Sequence, residues 1–151
     1  MTLKHLASYL TGKTVRRISL TAGLFLLLSG CASAPPPPKA VLADRWGVEI
    51  TSLRTSAHGH MIDFRYRVLD PAKAGTLADV RYNPVLIDQA TGIQMKVPNT
   101  PKLGPLRQSA KRLQAGKIYF MLFANSGLLV KPGSRVTIEI GDFKAENLTV
   151  E

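Results

Sequence analysis

Hydrophobic and polar positions alternate along most of the chain beyond residue 44. Val48 and Ile50 alternate with Glu49 and Thr51, and Ile62, Phe64, Tyr66 and Val68 alternate with Asp63, Arg65 and Arg67. Successive side chains of a strand point to opposite faces, so this period predicts half-buried strands. Pro84 to Asp88 and Ile93 to Val97 flank Gln89-Ala90-Thr91-Gly92, which predicts a hairpin with Gly92 at a positive φ. Lys117 to Phe123 is nearly all apolar, Val136, Ile138 and Ile140 alternate with polar residues, and Asn147 to Val150 predicts a last strand. Asp70-Pro71, Asn83-Pro84 and Lys131-Pro132-Gly133 punctuate these runs as turns. Only Pro71 to Asp79 has helical character, enough for one or two turns.

About seven short strands without a long helical period predict an all-β fold, an antiparallel β-sandwich over residues 44–151. A small β-barrel is the alternative. Phe64, Tyr66, Val68, Phe120, Leu122, Val136 and Ile138 are the expected core. Tyr119, Met121 and Phe123 then fall on the outer face, either covered by the segments 71–79 or 98–112 or left as a protein-docking surface. Val130-Lys131-Pro132-Gly133-Ser134-Arg135-Val136-Thr137-Ile138 resembles a turn and strand of immunoglobulin-like domains. The resemblance implies an immunoglobulin-like sandwich; no cysteine pair accompanies it.

The first 31 residues differ from the rest. Lys4, Lys13, Arg16 and Arg17 are their only formal charges, and an apolar stretch runs from Ile18 to Leu28, well short of the ~20 residues a membrane-crossing helix needs. A basic start, a short apolar core and small residues after it describe a secretory signal. Arg16-Arg17 raises twin-arginine export, but Val15 and Ile18-Ser19-Leu20 fit that motif poorly, which favours the general secretory route. Leu28-Ser29-Gly30-Cys31 resembles a bacterial lipobox. That resemblance implies cleavage before Cys31, residues 1–30 being the signal peptide, and lipidation of the Cys31 sulfur and amine. Acyl chains contribute about 0.8 kcal/mol per buried CH₂, so several make a durable membrane anchor. Ala32 resembles the outer-membrane class of such proteins, facing the periplasm. Pro35 to Pro38 predict a stiff spacer, and residues 31–43 are read as a tether.

Charge is unevenly spread. The chain of 151 residues carries a formal +10, and from Gln89 to Ile138 it has no Asp or Glu. Lys96, Lys102, Arg107, Lys111, Arg112, Lys117, Lys131 and Arg135 all lie in that window. Pro98 to Arg112 is broken by Pro98, Pro101, Gly104 and Pro105, which predicts a long projecting loop. On it, Lys102, Arg107, Lys111 and Arg112 are expected to engage an anionic partner. In an exported protein that partner is an envelope component, a protein or a phosphate- or carboxylate-bearing surface, and not nucleic acid.

Chemistry motifs are scarce. The sequence has no G-x-S-x-G elbow, Gly-rich phosphate loop or H-E-x-x-H, and Cys31 is its one cysteine. The expected function is a non-enzymatic, lipid-anchored binding or assembly module without a cofactor. Two alternatives stand beside it. His58, His60 and Met61 offer a soft ligand set suited to copper, provided that Met95 or Met121 approaches them. An enzyme of unrecognised type is the other.

Overall fold

The computed structural model describes residues 38–108 and 110–151. The expected signal peptide, lipidated Cys31 and Pro35 to Pro37 lie outside the described residues. Among the described residues no helix is long and apolar enough to cross a membrane.

The chain is all-β and antiparallel, built as an open sandwich of two sheets. One sheet has the order β1-β2-β7 (Val48–Ser56, Met61–Val68, Ile118–Ala124). The other has the order β4-β3-β8-β9 (Gln94–Lys96, Val85–Asp88, Arg135–Ile140, Phe143–Thr149). Counted alone, the first, second and fifth of these seven strands face the other four. That is the immunoglobulin-like order with its fourth strand transferred to the opposite sheet. The two-residue strands β5 (Asn99–Thr100) and β6 (Gly104–Pro105) form a separate ribbon. The sheets are stitched at one corner: the Glu151 amide donates to Leu53 O at 2.8 Å, and the Thr55 amide to Glu151 O at 3.1 Å.

Period-two patterning placed the strands because each buries one face. Register then decides which face. Phe64 lies opposite Met121, Tyr66 opposite Tyr119 and Ile62 opposite Phe123. Directly paired residues of an antiparallel sheet project to the same side. Since Ile62, Phe64 and Tyr66 are wholly buried, Tyr119, Met121 and Phe123 are buried with them, at 1%, 0% and 0% exposure. The expected faces of β7 are therefore exchanged. Ile118 and Phe120 look outward, 43% and 37% exposed, and Tyr119, Met121 and Phe123 are core rather than a docking surface. Phe64, Tyr66, Val68, Val136 and Ile138 are core as expected.

The domain also begins earlier than the tether reading placed it. Pro38 opens α1 (Pro38–Trp46), a position where the missing proline N–H costs nothing. Leu42 and Trp46, one turn apart, enter the core, with Trp46 edge-on to Phe143 at 5.4 Å between ring centres. Gly47 ends the helix at φ +60°. A Cβ there would stand 2.7 Å from that of Asp70, so only glycine fits.

At one end of the sandwich, the β1–β2 connection holds Ala57 and His58 at positive φ, and Leu128 does the same after β7. Buried Asn125 ties these turns together. Its amide nitrogen donates to Gly59 O and Val130 O, both at 2.7 Å, and its amide oxygen accepts from the Val130 N–H.

A cation-lipped groove as candidate functional site

The segment 98–112 does not project as one loop. After the β5–β6 ribbon, it runs along the open edge of β7. The Leu122 amide donates to Leu106 O and the Gln108 amide to Phe120 O, each at 2.9 Å, with Arg107 opposite Met121. Being paired with an inward residue, Arg107 also points inward and is only 9% exposed. Its guanidinium donates to Tyr82 O and Asp79 O, both at 3.0 Å. Burial lowers its pKa, opposed by nearby Tyr66 and Asp79. Arg107 is thus a brace between the sheet edge and the segment 79–82, and not part of an exposed anion site.

The other three cations separate into two places. Lys102 is exposed at the ribbon tip beside Leu103, which is 80% exposed. Lys111 and Arg112 are exposed on the lip of a groove of about 900 Å³. Ala72, Gly75 and Ala78 form its facing wall, and Leu113 lies on the cationic side.

Each wall is held from below. The short helix α2 (Gly75–Ala78) is anchored by Leu77, which is fully buried like Ala74 just before it. The Asp70 carboxylate accepts from the Ala72 amide at 2.9 Å, shaping the turn that leads in. Arg107 fixes the far end through Asp79 and Tyr82. On the cationic side, the Gln114 N–H donates to Tyr119 Oη at 3.0 Å, and Leu113 packs on the core. Gly116 and Lys117 then bond to the Val68 backbone. The groove is a preformed feature of the packed domain.

Its electrostatics are one-sided. Arg81 donates to the Asp79 carboxylate at 2.6 Å and holds its pKa down at about 2, so that carboxylate is ionised and already paired. Among the described residues, the ion pairs join Asp63 to Arg54 and Arg65, Glu49 to Arg67, Asp79 to Arg81, and Lys144 to Glu139 and Glu146. None involves Lys102, Lys111, Arg112 or any other cation of the acid-free window. Lys117 instead lies over the Tyr119 ring at 5.7 Å.

His58 and His60 are exposed at the β1–β2 turn. Met121 is opposite Phe64, three positions along β2 from Met61 and therefore ~10 Å away, and Met95 is buried in the other sheet. The structure does not bring the expected soft ligands together. Among the described residues no three His, Cys, Asp or Glu side chains cluster as a metal site.

Sequence reading missed the groove's second wall, because Ala72, Gly75 and Ala78 carry no chemical signature. It also missed Asn125, whose only cue was an Asn-Ser-Gly turn after an apolar strand.

The fold and site together define an all-β sandwich domain with a braced, cation-lipped surface groove. No family model, curated protein or solved structure matches the chain.

Proposed function

We propose that this protein is a non-enzymatic lipoprotein of the bacterial outer membrane, anchored through Cys31 and facing the periplasm, whose domain binds an anionic envelope component. The observation that carries the binding reading is the pair Lys111 and Arg112, exposed without carboxylate partners on the lip of a preformed groove. Exposed cations attract anions over roughly the ~8 Å screening length at physiological salt, and a concave site adds contact area to that attraction. The basic start, apolar core and lipobox-like Leu28-Ser29-Gly30-Cys31 support the anchor. The groove's one carboxylate is already engaged by Arg81 and so is not a free general acid or base, which supports binding over catalysis.

Two measurements test this. Mass spectrometry of the mature chain should find an acylated N-terminal Cys31, and Cys31→Ala should accumulate as unlipidated precursor. A soluble mature protein starting downstream of Cys31 would overturn the anchor. For binding, the full-length protein is crosslinked in its own envelope from a photoreactive residue at position 110. Recovery of an anionic component should fall at high salt and in the Lys111→Glu/Arg112→Glu variant. Equal recovery from wild type and variant would refute the groove as the binding site.

A further inference from the structure

We propose that the groove takes a short acidic peptide in extended form, its main chain against the Ala72, Gly75 and Ala78 wall and its carboxylates on Lys111 and Arg112. This deepens the anion-binding reading and rests on it. Three observations carry it.

The wall facing the cations has almost no side-chain bulk. A Cβ built at Gly75 meets nothing within 4 Å, so the space above α2 is open. A ligand backbone can approach such a wall closely, where larger side chains would hold it off.

Open shape and lining, rather than size, disfavour a lipid. About 900 Å³ is at the upper end of ligand-pocket volumes. The space is a surface groove, and its apolar lining is Pro71, Val80, Leu113 and alanines rather than a tunnel of large side chains fit for acyl chains.

The charges match carboxylates. Arg112 offers a planar fork suited to a carboxylate and Lys111 a flexible point charge beside it. Asp79 across the groove is neutralised by Arg81, so it does not repel an anionic guest.

The test uses the full-length protein in detergent micelles and fluorescence anisotropy of a labelled alanine hexapeptide bearing two glutamates. Its glutamine counterpart and glycerol phosphate are the comparison ligands. The acidic peptide should bind, and the glutamine counterpart at least tenfold more weakly. Lys111→Ala/Arg112→Ala should weaken binding at least tenfold. Gly75→Leu should do so too, because it fills the groove without touching a charge. That substitution has room, sits in a helix, and its folding is checked by circular dichroism. Should Gly75→Leu misfold, the cation variant and the glutamine peptide still decide. If glycerol phosphate binds through Lys111 and Arg112 while the peptide does not, the peptide proposal falls and the anion reading stands. If neither ligand depends on those two residues, both fall.

Discussion

Arg107 spans from the edge of β7 to the main-chain oxygen of Asp79, 3.0 Å from its guanidinium, and so sets the position of one groove wall. The same fork reaches Tyr82 O. A planar guanidinium can serve both carbonyls at once, and a lysine ammonium on a flexible stem serves them poorly. Arg107→Lys should cost about 1 kcal/mol, since the ammonium keeps at most one of the two part-buried hydrogen bonds that the fork makes. Urea unfolding should show this, and binding to the groove should weaken together with stability. A stability equal to wild type would show that the brace is dispensable.

Tyr66 presents a different case. Its hydroxyl is buried without a hydrogen-bond partner among the described residues, and burial, with a contribution from Tyr119, raises its pKa well above the ordinary value near 10. The sign follows from proton linkage. Above about pH 10 the unfolded tyrosine loses its proton and the folded one keeps it, so stability falls by ~1.4 kcal/mol per pH unit from this group. Below pH 10 the group contributes no pH dependence. Tyr66→Phe should therefore match or exceed wild-type stability at pH 8, because it removes an unpaired buried hydroxyl. It should also lose less stability than wild type between pH 10 and 11. Parallel urea midpoints for both proteins across that range would refute the assignment.

Asn125 should be the most sensitive polar position. Asn125→Ala strips partners from Gly59 O and from both backbone groups of Val130. A loss of about 2–4 kcal/mol is expected from unsatisfied buried groups. The positive-φ residues Ala57, His58 and Leu128 lie in the turns that Asn125 joins, so amide exchange should accelerate at both turns. Unchanged exchange there would mean the turns hold their shape alone.

The face assignment of β7 separates neighbouring residues. Met121→Ala, in the core, should cost about 2–5 kcal/mol. Phe120→Ala, partly exposed, should cost about 1 kcal/mol or less. Chemical denaturation of the two variants gives the comparison, and the reverse order would contradict the register.

The sequence by itself determined seven of the nine strands in outline, the last of them begun four residues too late, and most of the turns between them; the β5–β6 ribbon it read as loop. Alternation in Ile62 to Val68 and Arg135 to Ile140 is local, and the Gly92 hairpin needs only its own turn chemistry: Gly92 has φ +73° and its amide donates to Asp88 O. Exposure of Lys102, Lys111 and Arg112 was legible too, since solvated charge is the ordinary fate of a basic residue in a Pro- and Gly-broken segment. Tertiary structure alone decided the rest. Every residue of Ile118 to Phe123 is apolar, so its pattern is silent about direction, and only pairing of Tyr119 with Tyr66 set which half is buried. Arg107 resembles its basic neighbours in sequence. What buries it is its place opposite Met121 and two carbonyl oxygens brought from 25 and 28 residues away. The groove arises the same way, from two segments without individual signature that a long-range brace holds face to face.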